Sequence, residues 1–176
     1  MVVNLFGAPG CGKSTAALGI THELKKRNFS CEYIPEYAKD LVYEDRLRTM
    51  DQLDIFCEQY ARVRRAYNQV DLVITDSPLL ISKIYDNTKM MNFPKFVEEV
   101  NSKFRNFNIL IERRHEYVNE GRIHNEEESL KIHTQVYHML SGQCITLSSR
   151  EVVDCVVRLF TMRREEGTDY ANYVQY

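Results

Sequence analysis

The sequence contains no apolar run approaching the ~20 residues needed to span a bilayer, so no membrane contact is expected. Its opening, Met1-Val2-Val3-Asn4-Leu5-Phe6, turns into a glycine loop instead of combining a charged start with a long apolar stretch, so no signal peptide is expected. The five cysteines (Cys11, Cys31, Cys57, Cys144 and Cys155) are an odd set without C-x-x-C spacing. That argues against a disulfide framework or a zinc site and for reduced thiols in a cytoplasm. His133 and His138 miss the helical i, i+4 spacing of a metal pair. Charge of one sign is also missing: 23 Lys and Arg stand against 25 Asp and Glu, for a net charge of −2. A globally basic nucleic-acid coat and an acidic disordered tail are both excluded.

With 176 residues, no internal repeat and no low-complexity linker, the chain fits one domain. A composition 44% hydrophobic and 27% charged is that of a soluble globular protein with a proper core. Five short apolar segments (Val2 to Phe6, Cys31 to Ile34, Leu72 to Thr75, Phe107 to Ile111 and Cys144 to Leu147) read as buried strands. Helical patterns separate them. From about Thr49 to Gln69, Leu53, Phe56, Tyr60, Val63 and Tyr67 form one apolar stripe, with Thr49 and Gln52 as a capping box. Ser149 is placed to cap a last helix whose apolar face carries Val152, Val153, Val156 and Phe160. Such alternation predicts an α/β fold, a five-stranded parallel sheet covered by helices on both faces. Periodicity is lost in residues 165–176, which read as a loosely held tail carrying Tyr170, Tyr173 and Tyr176.

The first strand runs into Gly7-Ala8-Pro9-Gly10-Cys11-Gly12-Lys13-Ser14, which fits G-x-x-x-x-G-K-[ST]. Glycines let the backbone take positive φ and wrap a polyphosphate, so that successive N–H groups form an anion nest. Lys13 sets a compact charge against the β- and γ-phosphates, and the Ser14 hydroxyl suits Mg²⁺. The helix opening there adds its positive end, and Thr15 follows as an α-phosphate donor. A chance match in a chain this long is roughly a one-in-a-hundred event at average composition. Cys11 is read as a small residue at an unspecified position of the loop.

Two acids follow other strands. Asp76, after Leu72-Val73-Ile74-Thr75, sits where phosphoryl-transfer enzymes hold Mg²⁺ or orient the attacking group, although a helix cap at Pro78 would also use it. Asp71 precedes that strand and belongs to the opposite edge. Glu36, in Pro35-Glu36-Tyr37-Ala38-Lys39-Asp40, is a candidate base for a substrate hydroxyl, with Asp76 as its competitor and a helix-start acid as the alternative. Tyr37 either contacts an acceptor or packs. After the fourth strand comes Glu112-Arg113-Arg114-His115-Glu116-Tyr117-Val118-Asn119-Glu120-Gly121-Arg122. Arg113 and Arg122 fit the task of stabilising charge on a transferring phosphoryl group from a closing flap, with Gly121 as its hinge. Arg62, Arg64 and Arg65 read first as a solvated helix face.

The order G-A-P-G-C-G-K-S-T, P-E-Y-A-K-D, T-D-S-P-L-L and E-R-R-x-x-Y-x-x-x-G-R resembles a group of small phage-encoded ATP-binding proteins. These are grouped with the ribosylnicotinamide-kinase-like P-loop domains, and the resemblance covers roughly Val2 to Leu140. It implies a three-layer α/β/α nucleoside- or nucleotide-kinase fold, with residues 1–164 as the kinase domain and about 112–124 as an arginine-bearing lid. It implies ATP and Mg²⁺ as cofactors and a host-cytoplasmic location, and it supports Lys13, Ser14, Glu36, Asp76, Arg113 and Arg122. The D-G-x-P-R element of adenylate-type kinases, the D-R-[YS] of thymidylate or deoxynucleoside kinases and the guanine-reading N-K-x-D are all missing.

The first functional expectation is therefore a small-molecule kinase passing the γ-phosphate of ATP to a nucleoside- or nucleotide-like acceptor. A polynucleotide 5′-kinase is the second; it needs a strand channel, for which Arg62, Arg64, Arg65 and Tyr67 are the candidates. The third is a nucleotide-dependent switch with little phosphotransfer. A full AAA+ motor is not expected, because the chain is short for an added lid domain and shows no second ATPase element. Oligomeric state stays open, a dimer among the options.

Overall fold

The computed structural model describes residues 1–112 and 126–166. Five strands, β1 (Val2–Phe6), β2 (Cys31–Ile34), β3 (Leu72–Thr75), β4 (Asn106–Glu112) and β5 (Ile145–Ser148), pair in the order β2-β3-β1-β4-β5. Every pairing is parallel. The helices are α1 (Lys13–Lys26), α2 (Tyr37–Tyr43), α3 (Gln52–Tyr67), α4 (Phe93–Asn101), α5 (Glu126–Leu140) and α6 (Val152–Glu165), with two 3-10 turns at Leu47–Thr49 and Leu79–Lys83. None of the described helices is long and apolar enough to cross a membrane.

Side chains that alternate along each strand build the layers. Val3 and Leu5 of β1, Leu72 and Ile74 of β3, and Phe107, Ile109 and Ile111 of β4 meet Ala16, Ile20 and Leu24 of α1 and Val152, Val156 and Phe160 of α6. On the opposite face Val2 and Val73 meet Phe56 and Val63 of α3 and Phe93 and Val97 of α4. Phe6 and Leu110 meet Ile132, Val136 and Leu140 of α5 there. The expected three-layer α/β/α arrangement is the observed one. A cluster of amides crosses the β1–β4 pair: Asn4 Nδ2 donates to Asn106 Oδ1 at 2.9 Å and to Asn108 Oδ1 at 3.0 Å.

The termini of two helices differ from the sequence reading. Thr49 does not cap α3; it lies in the first 3-10 turn, where its hydroxyl donates to the Arg46 carbonyl. Asp51 is the cap, accepting from the Asp54 N–H at 3.0 Å, and α3 starts at Gln52. Nor does Ser149 cap α6. A turn over 149–151 delays that helix to Val152, behind Glu151, and its carboxylate bonds the Ser148 hydroxyl. At its far end α6 runs to Glu165, one residue into the stretch expected to be tail. Residues 167–176, with the three tyrosines, lie outside the described residues.

The strand order places the site. The chain leaves β1 for the edge strand β2, returns to β3, and then crosses to β4 on the other side of β1. In open α/β sheets ligands bind beyond the carboxyl ends of the strands where the order reverses, here beside β1. Gly7 leaves that strand at φ +145, and a Cβ on it would stand 2.6 Å from Cys11 Sγ and 2.8 Å from the Ile111 carbonyl oxygen. Gly142 also has positive φ (+78) but open space around it. Gly7→Ala is therefore expected to cost about 2–4 kcal/mol of stability, strain and overlap together. Gly142→Ala should cost about 1–2 kcal/mol, the left-handed conformation alone. Urea denaturation of the two variants measures the difference; equal losses would remove the crowding from the account.

Candidate active site

The loop from Gly7 to Ser14 closes on itself. Gly10 and Gly12 take φ +81 and +93, values that a side chain would oppose, and α1 starts at Lys13 directly behind them. Lys13 Nζ reaches back to donate to the Gly7 and Ala8 carbonyls, each at 2.9 Å. The ammonium thus spans the mouth of the loop, next to the amides that would meet a phosphate. Cys11 is fully buried in the core under α1, and its N–H is turned to the Ala8 carbonyl at 3.2 Å. Its side chain plays no part in the cradle. Thr15 is exposed in the first turn of α1. The cradle is also held from outside. Ser129, buried in α5, donates its hydroxyl to the Pro9 carbonyl at 3.0 Å.

Asp76 emerges where β3 ends, 4% exposed. The Ser14 hydroxyl donates to its Oδ2 at 2.5 Å, and the Tyr33 hydroxyl donates to the same oxygen at 2.9 Å. Oδ1 is buried with no hydrogen-bond partner among the described residues. A buried, unpartnered carboxylate oxygen beside a serine hydroxyl at a phosphate loop suits Mg²⁺, a hard cation that takes one or two such oxygens and fills its shell with water and phosphate. No three His, Cys, Asp or Glu side chains gather around a cation among the described residues, and Mg²⁺ at a nucleotide does not require that. Asp71 lies at the opposite edge of the sheet, where its N–H donates to the Ser30 carbonyl.

Glu36 follows β2 at the same edge and stands immediately before α2, without a side-chain capping bond. Burial pushes its carboxyl above the ordinary glutamate value; Lys13 opposes the shift, Asp76 adds to it, and Lys39 opposes it again. Glu36 therefore senses the charges of all three. Tyr85, beyond the second 3-10 turn, belongs to this neighbourhood: burial, then the charge of Glu36, push its hydroxyl up to about 12.

Gln59, buried in α3, fixes the backbone on both sides of Glu36. Its Oε1 accepts from the Tyr37 N–H at 3.0 Å, and its Nε2 donates to the Pro35 carbonyl at 3.3 Å. Gln59→Leu strips both groups of their partner and is expected to lower unfolding stability by about 1–3 kcal/mol. Chemical denaturation showing no loss would mean that the clamp contributes nothing.

The arginines of α3 are engaged elsewhere. Arg62 pairs with Asp40 at 2.8 Å and Glu58 at 2.9 Å, and its guanidinium lies 4.7 Å from the centre of the Tyr37 ring. Arg64 lies over Tyr60, and Tyr67 packs on Phe104 while its hydroxyl accepts from the Arg105 N–H. Arg65 is exposed. Arg113, Arg114, Gly121 and Arg122, with most of the expected lid, lie outside the described residues. The structure thus brings Lys13, Ser14, Asp76 and Glu36 to one edge. It adds Tyr33, Gln59 and Tyr85, which the sequence did not single out.

A parallel sheet whose central strand opens into this cradle defines a P-loop nucleoside-triphosphatase fold. The chain belongs to the family described as AAA domain (AAA_28), whose model matches residues 2–153. That match runs from β1 into the first turn of α6, which is the nucleotide-binding fold itself. No curated protein matches the sequence. Among 118 matching chains of solved structures is the crystal structure of NadR protein in complex with NR, at a TM-score of 0.56 and 15% identity. The alignment covers 84% of this chain and 43% of that one, so this chain spans less than half the length of the protein it resembles in fold.

Proposed function

We propose that the protein is an ATP-dependent small-molecule kinase that moves the γ-phosphate of ATP to a hydroxyl of a nucleoside- or nucleotide-like acceptor. The observation that carries this reading is Glu36, a carboxyl raised by burial, at the same sheet edge as the cradle and within electrostatic reach of Lys13 and Asp76. A phosphate acceptor brings no proton to remove, whereas an alcohol, like the water of a hydrolase, must give one up. A positioned carboxylate suits an alcohol that must lose its proton as it attacks.

In this reading the loop amides and Lys13 hold the polyphosphate and its developing charge. Ser14 and Asp76 hold Mg²⁺, which when bound neutralises charge on the phosphates and aligns them. Glu36 accepts the proton of the acceptor hydroxyl at a carboxylate oxygen. Arg113 and Arg122 remain the proposed further cations. Likeness in fold to the NadR structure with NR bound supports a nucleoside-sized acceptor. The engagement of Arg62 and Tyr67 within the protein counts against the strand channel of a polynucleotide kinase.

Incubation with ATP, Mg²⁺ and a panel of nucleosides, nucleotides and ribosylnicotinamide tests the proposal, with phosphorylated product read by mass spectrometry. ADP formed at the same rate with and without every acceptor, and no phosphorylated product, would favour the second reading, a nucleotide-dependent ATPase module. The AAA-domain family membership keeps that reading in play.

A further inference from the structure

Tyr33 owes its place to strand register. In the β2–β3 pair it stands opposite Ile74, and residues two apart on a strand share a face, so Asp76 lies one step further along on Tyr33's side of the sheet. That face is covered by α1, whose first turn supplies Ser14. The long phenol ring leans along the strand and packs on the core cluster, which brings its hydroxyl to Asp76 Oδ2 at 2.9 Å. A carboxylate oxygen can only accept, so in this contact the phenol hydroxyl is the donor. Oδ2 therefore has two fixed donors, Tyr33 and Ser14, while Oδ1 has none among the described residues.

We propose that Tyr33 is a positioning residue for the metal site: by donating to Asp76 Oδ2 it locks the carboxylate so that Oδ1 is the oxygen left for the cation. Ser14 benefits as well. A hydroxyl whose hydrogen is held by a fixed carboxylate keeps its lone pairs free for a cation. A donor that orients a metal-binding carboxylate typically matters about 10-fold or more in metal affinity, although it never touches the ion. The inference rests on the nucleotide and Mg²⁺ reading of the site but not on phosphotransfer.

Calorimetric titration of ATP into the whole protein, in EDTA and over a range of Mg²⁺, tests it without any acceptor. Tyr33→Phe keeps the packed ring and removes only the hydroxyl. It is expected to leave the affinity in EDTA within about twofold and to raise the Mg²⁺ concentration for half-maximal enhancement about 10-fold. In an Asp76→Asn background the same substitution should have no further effect, because its route runs through the carboxylate. An unchanged Mg²⁺ dependence in Tyr33→Phe, or an equal effect in both backgrounds, overturns the role. If the native protein bound ATP equally with and without Mg²⁺, the metal reading itself would fail and this inference with it.

Discussion

Lys13→Met is expected to weaken ATP binding in the presence of Mg²⁺ by roughly 10- to 100-fold. Hydrogen bonds made by a charged group contribute about 1.5–3 kcal/mol each, and every ~1.4 kcal/mol is tenfold in affinity. Two effects combine. One is the loss of the only ammonium that the cradle motif places against the β- and γ-phosphates. The other follows from the geometry without ligand: Lys13 holds the Gly7 and Ala8 carbonyls at 2.9 Å, so the loop it shapes would also slacken. Lys13→Arg should not restore binding, since a planar fork cannot place a point charge at the mouth of so tight a loop. Titration calorimetry reads both variants. Native-like affinity in Lys13→Met would remove the phosphate site from the account, and with it the reading of the whole loop.

Glu36→Gln is expected to reduce phosphoryl transfer to the acceptor by about 10²- to 10⁴-fold, the span of general-base contributions, while leaving ATP affinity nearly unchanged. The pH profile supplies an independent check. Because burial raises the carboxyl, the base form grows in only as pH passes a value above that of an ordinary glutamate, and kcat/KM should climb through that point. Stability should move in the opposite sense. A carboxyl whose folded-state pKa lies above its unfolded value contributes stability that is present below the unfolded pKa and lost as pH rises through the folded one. Glu36→Gln carries no such charge, so its melting temperature should exceed that of the native protein at pH 7, and the gap should close in acid. A variant that is slow but no more stable at neutral pH would show that Glu36 is not confined as described.

What could be read ahead of the structure follows the range of the interactions. The inner strands β1, β3 and β4 were legible because strands covered on both faces demand short apolar runs such as Leu72-Val73-Ile74-Thr75. The edge strands β2 and β5, also expected to be buried, are exposed at Glu32 and at Ile145 and Thr146. The cradle was legible because close backbone approach to phosphate admits few residues at fixed spacing. Tyr33 and Gln59 were not. Each is one polar side chain among several in its element, and each matters through a partner 43 or 22–24 positions away. The α3 cap was misplaced because Thr49 and Asp51 are both good capping types. The choice between them was made by the 3-10 turn at Leu47–Thr49, which periodicity does not reveal.

The asparagine cluster between β1 and β4 bears on how this site tolerates change. Asp76 and Glu36 stand just beyond the ends of β3 and β2, and the phosphate loop leaves the end of β1, so the longitudinal setting of the strands acts as a ruler for the site. In the present register Asn4 faces Asn108, and Phe6 faces Leu110 two residues before β4 ends. Sliding β4 by one residue would turn Asn106 and Asn108 into the apolar layer under α1 and α6, and sliding it by two would move the end of the strand at Glu112 by about 6.6 Å. Three amides thus work as a keyed joint. A sheet of aliphatic residues alone would accept several settings of that strand, and an engineer grafting a new acceptor pocket onto this scaffold should leave Asn4, Asn106 and Asn108 in place while recasting the loops above them.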